Sequence, residues 1–484
     1  MMLRHKPHLP IIVFVLLVLL ALATTWVAYS AILTRAAPSA SDWSTYNYNL
    51  AASGNNTAET TLGPTTFPNL KVQWTAHGAS GISAQPIVVG NVVYWGSWDG
   101  NLHATNITGT NAGKNLWTVN LGLTTGGKGC NPKSLGIAST AAYGTIGTTP
   151  TLYIGGGGNN TAGGGHVYLY AINATNGAVI WKTSIGTSPS DFAWSSPVIY
   201  NGSVYYGVAS LADCPLTRGR ILKLDATTGT QQAIFNTVPA GCVAGGIWGS
   251  PSIDTATGML YVATGNLPPS CKTTTGDYGM SLLELRASDL SYVSHWEVPR
   301  SQALPDGDFG SAPTLFSATI GGTTRAMVGI ANKDGIFFAF DRTNIAAGPI
   351  WERAVAVNRD GPQSGGGSLS PAVWNGSTLF VAGGNTTIRG TSCRGGVRAL
   401  NPATGTSIWE FCMTSGPILA SLAGVPGVVV AVGGPNVVAL NSTTGQTIFT
   451  YHDTSGKPYW APVSIANGHM FAANMDSSLV AFGL

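Results

Sequence analysis

Charge is what this chain has least of. Asp, Glu, Lys and Arg make up 9% of its residues, against roughly 25% in an ordinary soluble domain. The formal net charge is +3. No basic patch stands out to neutralise phosphates, which argues against a nucleic-acid partner. The familiar catalytic signatures are missing too. No GxSxG, HExxH or Rossmann fingerprint stands in a proper context, so hydrolase chemistry is disfavoured. The eight histidines form no close metal-ligand cluster in sequence. No CxxCH occurs, which excludes a c-type haem, and no CxxC or adjacent cysteine pair occurs either.

The six cysteines are Cys130, Cys214, Cys242, Cys271, Cys393 and Cys412. They read as loop staples in an oxidising compartment. Cys214 with Cys242 or Cys271, and Cys393 with Cys412, are the local choices. The N-terminus agrees with export. Arg4, His5 and Lys6 precede an uncharged, mainly apolar run over residues 9–33. About 20 apolar residues suffice to span a bilayer. Residues 1–40 are therefore a signal peptide, with Ala28-Tyr29-Ser30 as a cleavage signal, or a retained signal anchor with a hydrophobic transmembrane helix. Either way the basic end stays inside and the rest is extracytoplasmic, secreted or anchored to the outer face of the cytoplasmic membrane.

What fills the chain instead is repetition. YAINATNGAVIW, RALNPATGTSIW and VALNSTTGQTIF end at Trp181, Trp409 and Phe449. Each is an alternating strand, a polar turn with Gly, and a second strand that starts on an aromatic. The full aromatic series is Trp74, Trp117, Trp181, Phe235, Trp296, Trp351, Trp409 and Phe449, at gaps of 40 to 64 residues. That spacing suits one four-stranded blade per aromatic plus variable loops. The chain end holds only three strands, PVSIANG, HMFAANMD and SSLVAFG. Residues 70–75, LKVQWT, are a strand without a unit of their own. Pairing the two closes the ring and removes unpaired edges. The expected fold is all-β: an eight-bladed β-propeller over residues 70–484, its last blade closed by the N-terminal strand, after an extended lead-in over 41–69.

A propeller of this size has a central channel, and polar groups recurring beside the inner strands are its site candidates. Trp248, in GGIWGSPSID, either stacks on a planar ligand or packs within its blade. Asn266, after a Gly, either offers a carbonyl to Ca²⁺ or holds a turn. Asp306 and Asp308, in LPDGDFGSAP, pair two carboxylates before an inner strand; one suits a cation and the other a proton, unless they make an Asx turn. Lys333, in NKDGIFFAFDR, either faces the channel to bind a carboxylate or quinone oxygen, or points to solvent. Ser139 and Thr140 offer hydroxyls at an inner-strand start. Trp194, beside Ser195, is the counterpart of Trp248 one blade earlier.

These residues carry a resemblance. The ALNxxTGxxxW phrase resembles the tryptophan-docking motif of the quinoprotein alcohol dehydrogenase family, and DWSTYNYNLAASGNN resembles that family's opening. The nearest variety is the polyvinyl-alcohol-dehydrogenase-like group. The resemblance spans residues 42–484 and implies two cofactors, pyrroloquinoline quinone (PQQ) and Ca²⁺. It implies Trp248 as the floor beneath the quinone, Asn266 as a Ca²⁺ ligand with Asp306 and Asp308, Asp308 as the base for the alcohol proton, and Lys333 as the quinone's cationic partner. Thr140 and Trp194 are further cofactor-binding candidates. The implied reaction is hydride transfer from an alcohol to the quinone, with electrons leaving to an external acceptor because no haem domain is present. The chain departs from the pattern where the family often has adjacent cysteines, since Cys130 is followed by Asn131. Its acidic Ca²⁺ ligand on an earlier blade has Asp213 as its sole counterpart here. The same repeat occurs in non-catalytic scaffolds of envelope assembly, so an extracytoplasmic scaffold that binds an envelope protein is the alternative.

Overall fold

A computed structural model describes residues 39–158, 165–268, 271, 276–357 and 361–484. The chain builds its sheets from two kinds of strand. Runs such as VVVAVG (Val428–Gly433) are buried throughout, because both faces of a middle strand are covered by neighbouring sheets. Outer strands such as SIWEFCM (Ser407–Met413) are only partly buried, with Trp409 and Met413 turned inward, because one of their faces meets water.

Eight four-stranded antiparallel sheets result among the described residues. Blade 1 comprises Ile87–Val89, Val92–Gly96, Asn101–Asn106 and Asn115–Asn120. Blade 2 comprises Ala142–Ile146, Thr149–Gly156, Gly165–Asn173 and Val179–Ser188. Blade 3 comprises Val198–Tyr200, Ser203–Val208, Arg220–Asp225 and Gln231–Asn236. Blade 4 comprises Ser252–Asp254, Met259–Ala263, Ser281–Arg286 and Tyr292–Glu297. Blade 5 comprises Thr314–Ile320, Thr323–Ala331, Ile336–Asp341 and Trp351–Ala354. Blade 6 comprises Val373–Trp374, Leu379–Gly383, Gly395–Leu400 and Ser407–Met413. Blade 7 comprises Ala423–Val425, Val428–Gly433, Asn436–Asn441 and Thr447–His452. Blade 8 comprises Ser464–Ala466, His469–Ala473 and Ser478–Gly483, with Lys71–His77 as its fourth strand. The register there runs from Lys71 opposite Gly483 to His77 opposite Ser478. The expected closure of the ring is present.

The eight aromatics sit on the outermost strands. Five of the indoles donate their N–H to a turn carbonyl of the next blade. Trp74 reaches Ile107 at 2.9 Å, Trp117 reaches Ala174 at 3.1 Å, and Trp181 reaches Ala226 at 3.1 Å. Trp351 reaches Pro402 and Trp409 reaches Ser442, each at 3.0 Å. The turn glycine lies flat against the ring. Gly177 and Gly445 have φ of 76° and 72°, and a Cβ on either would stand 2.7 Å from Trp117 or Trp409. Glycine is needed there twice, for its dihedral angle and for its missing side chain. The hydrophobic core accordingly lies between neighbouring blades, as in the cluster of Val373, Phe380 and Trp409 from blade 6 with Val429, Val438 and Leu440 from blade 7.

Residues 42–56 form a strap that runs along the free edges of the inner strands. Trp43 pairs with Val88 of blade 1, and Ser44 accepts from Tyr143 of blade 2. Leu50, Ala51 and Ser53 accept from Ile253, Leu315 and Trp374 of blades 4, 5 and 6. Gly54 and Asn56 bond Gly424 of blade 7, and the Asn56 amide donates to Ile465 of blade 8. Above the strap, the residues that precede the inner strands link blade to blade. Gln85 N donates to Thr140 Oγ1 (2.8 Å), Thr140 N to Ser196 Oγ (3.1 Å), and Ser196 N to Ser250 Oγ (2.9 Å).

Two expectations are corrected and a third falls outside the described residues. Cys214 pairs with Cys130, leaving Cys242 with Cys271; Cys393–Cys412 forms as anticipated. Sequence proximity misled because the loop before blade 2 folds over to blade 3. The N-terminal hydrophobic helix is not among the described elements, since residues 1–38 lie outside the described residues. Among the described residues no helix is long and apolar enough to cross a membrane, so the transmembrane reading and the membrane as a partner are withdrawn.

Candidate active site

In each antiparallel blade, the residues before the first strand and the loop between the second and third strands lie at the same end. Trp248, Asp306 and Asp308 precede the inner strands of blades 4 and 5. Asn266 and Lys333 sit in the second-to-third-strand loops of the same blades. The topology thus carries residues far apart in sequence to one mouth of the channel, and the side chains meet there.

Lys333 is the hub. Its Nζ lies 2.7 Å from Asp306 Oδ1 and 2.6 Å from Asp308 Oδ1. It also stands 4.9 Å from the centre of the Trp248 ring. The Trp248 indole N–H donates to Asp308 Oδ2 at 3.1 Å. Asn266 Nδ2 donates to Asp306 Oδ1 at 3.1 Å. Lys333 N donates to Asp308 O at 3.0 Å, which fixes the two loops together. Trp248 lies so close to Gly310 that a Cβ there would fall 1.9 Å from the indole. Gly265 likewise leaves room beside Asp308 Oδ2, 3.3 Å from where its Cβ would be.

The two carboxylates differ in setting. The Asp308 side chain is 3% exposed and that of Asp306 is 59% exposed, which makes Asp308 the deep group and Asp306 the rim group. Burial pushes the Asp308 carboxyl up to about 6, against the opposing pull of Lys333. Asp306 is held below the usual carboxylate range: burial works against this, but Lys333 and the Asn266 amide outweigh it. Burial alone would lower the Lys333 ammonium; the two carboxylates reverse that and raise it. Asp334, next in the chain, is also pushed up to about 6, mainly by burial and further by the charges of Asp308 and Asp306. A carboxyl near 6 beside a fixed cation can change protonation state near neutral pH, as a general base must.

Four sequence candidates lie outside this network, among them Ser139, whose Oγ accepts from Gly155 N at 3.2 Å. Thr140 belongs to the blade-linking belt and accepts from Gln85 N. Trp194 packs edge-on against Phe192, with ring centres 4.7 Å apart, and donates to Ser210 O at 3.0 Å. Asp213 accepts from Ser210 Oγ at 2.5 Å. Among the described residues no group of three or more His, Cys, Asp or Glu is placed to hold a metal ion. Sequence reading passed over Asp334, although the NKDG turn placed it beside Lys333. It also passed over Trp98, which occupies in blade 1 the loop that Lys333 occupies in blade 5.

Fold and site together define a propeller with a buried acid–cation pair at one mouth. Residues 64–365 match the family described as glucose/ethanol/alcohol dehydrogenase, β-propeller domain, and residues 393–483 match outer membrane protein assembly factor BamB. The first match covers more than half of the chain, which therefore belongs to the glucose/ethanol/alcohol dehydrogenase β-propeller family. It is similar to a polyvinylalcohol dehydrogenase of Pseudomonas sp., 24% identical over 339 residues, covering 60% of this chain and 51% of the relative. A polyvinylalcohol dehydrogenase of Sphingopyxis sp. (strain 113P3) is 26% identical over 283 residues, 50% of this chain and 42% of the relative. The matches thus span about half the length of these curated relatives. The crystal structure of quinohemoprotein alcohol dehydrogenase from Comamonas testosteroni shares the fold, with a TM-score of 0.73 and 18% identity, over 91% of this chain and 80% of that one.

Proposed function

We propose that this protein is a PQQ-dependent oxidoreductase that oxidises an alcohol and passes the electrons to an external acceptor. One observation carries the reading: the buried Asp308 carboxyl is bonded at once to the Trp248 indole and to the Lys333 ammonium, inside a channel mouth. Its family membership and the names of its relatives support it.

The residues fit the cofactors in kind. The partly exposed Trp248 offers a flat floor, pinned on one side by Gly310. Lys333 offers a cation for quinone oxygens. Asn266, Asp306 and Asp308 bring an amide and two carboxylates, the hard oxygen donors that Ca²⁺ takes. The Lys333 ammonium already bridges the two carboxylates, which supports a pair suited to positive charge. When bound, PQQ supplies the two-electron acceptor that this chain's side chains lack.

The chain's own part follows from the geometry. Asp308 takes the hydroxyl proton of the alcohol at its carboxylate oxygen. Lys333 opposes the effect of burial by favouring the ionised carboxylate, and it offsets negative charge as the proton leaves. Trp248 holds the carboxylate in a fixed orientation through its N–H, and burial under the loops excludes water. The three disulfides fit a protein of an oxidising, extracytoplasmic compartment.

The test is reconstitution of the full chain with PQQ and Ca²⁺, read by tryptophan fluorescence and by dye reduction with alcohols. Quenching together with alcohol-dependent reduction is the expected result; no quenching at any cofactor concentration overturns the reading. The match of residues 393–483 to an assembly factor favours a second reading, a binding scaffold. A scaffold would keep its partner after Asp308 and Lys333 are both replaced.

A further inference from the structure

The end of the molecule away from Asp308 carries a cavity that the proposed reaction does not use. In an antiparallel blade the last residues of the first strand and the third-to-fourth-strand loop lie at that end. Asp254 closes the first strand of blade 4, Trp374 closes that of blade 6, and Arg342 opens the third-to-fourth-strand loop of blade 5. Phe316 and Ser317 lie in the first strand of blade 5. The strap walls one side with Asn49, Leu50 and Ala51. Together these groups line an open cavity of about 540 Å³, inside the range of roughly 300–1,000 Å³ typical of small-ligand sites.

Its polar groups are fixed but not used up. Arg342 Nη1 lies 2.8 Å from Asp254 Oδ2. Ala256 N and Thr257 Oγ1 donate to the same carboxylate at 3.0 and 2.9 Å and hold it in place. Arg342 Nε is buried with no partner, and Nη2 has none among the described residues. The Trp374 N–H and the Ser317 hydroxyl likewise bond nothing among the described residues, and both reach solvent. Unspent donors around a fixed acceptor suit a ligand that both accepts and donates. Phe316 braces the Trp374 ring, with centres 5.7 Å apart and planes tilted by 52°, so an aromatic wall stands by the ion pair.

The chemistry of the set chooses between ligands. Asp254 answers the guanidinium charge and Glu284 shares it, so a free anion gains little here. A neutral ring bearing adjacent hydroxyls gains more. One hydroxyl donates to Asp254 while its neighbour accepts from Arg342. The ring's C–H groups, slightly positive, pack on the negative face of an indole. We propose that this cavity is a binding site for one pyranose sugar, separate from the Asp308 mouth and independent of the reaction there.

Saturation-transfer NMR on the full chain tests it, with methyl β-D-glucopyranoside, methyl β-D-galactopyranoside and methyl α-D-mannopyranoside as probes. At least one should receive saturation on its ring C–H groups. In W374A and R342M its affinity should fall roughly five- to tenfold, and D308N should bind it like the parent. S317F fills the cavity from the strand beneath, so it should abolish binding and keeps the test open if W374A does not fold. No saturation of any glycoside overturns the site, as does equal affinity in the parent and S317F. Loss in D308N with retention in W374A would put the sugar at the other mouth, and binding of benzoate in preference to all three glycosides would mark an anion site; either result overturns the proposal.

Discussion

Asp308 shows how one residue's surroundings set its chemistry. Its burial favours the neutral acid, and Lys333 beside it favours the carboxylate; burial wins, and the group titrates near 6. In the cofactor-free full chain the Asp308 carboxyl should therefore titrate near 6, read by ¹³C NMR of labelled aspartate against D308N. A titration with no such carboxyl between pH 5 and 7 would contradict that. In K333M the opposing pull is gone, so the inflection should move to higher pH. D308N should lower kcat by about 10²- to 10⁴-fold while cofactor quenching of tryptophan fluorescence persists. The residues of this site were legible in the sequence one at a time, because carboxylates are scarce enough in this chain for two of them, two positions apart, to stand out. Their meeting on one ammonium was not legible, since it depends on loops from two blades arriving at one point. Thr140 and Trp194 show the limit: a hydroxyl or an indole beside an inner strand looks alike in sequence whether it faces a ligand or ties one blade to the next.

At the scale of the element, the outer-strand tryptophan and the turn glycine act as a pair. Trp409 is 6% exposed, and its N–H reaches the next blade at Ser442. W409A should cost about 3–5 kcal/mol of unfolding free energy, read from urea denaturation. W409F should cost about 1–3 kcal/mol, because the buried Ser442 carbonyl loses its donor. G445A should also destabilise, by at least about 1 kcal/mol, since an L-residue is strained at φ 72° and its Cβ would press on Trp409. This pairing is why the blade count was readable. The aromatic that opens each outer strand recurs eight times, which gave eight blades, and a turn glycine faces the ring at six of the eight. The disulfides obeyed no such local rule. Cys130 and Cys214 are 84 positions apart and meet because an insertion crosses blade 2.

For the whole molecule, two segments near the start of the described chain complete the ring in different ways. Lys71–His77 hydrogen-bonds the last sheet and covers the outer edge of Ser478–Gly483. Deleting residues 40–77 should expose the edge of Ser478–Gly483 and shift the parent peak on size-exclusion chromatography to larger species; an unaltered elution volume would argue that the edge is protected in another way. The strap over residues 42–56 was visible in the sequence only as an extended lead-in. Its Asn- and Ser-rich composition makes sense once its backbone is seen bonding six inner strands and the Asn56 amide a seventh, because short polar side chains let a non-repeating segment satisfy a repeating edge.

That strap has a consequence for traffic. It lies further along the inner strands than the belt of hydroxyls, on the side away from Asp308, and its backbone bonds six of the eight inner edges. A ligand at Asp308 would meet this crossing segment on one side, so under the proposed reaction substrate and product would share a single entrance.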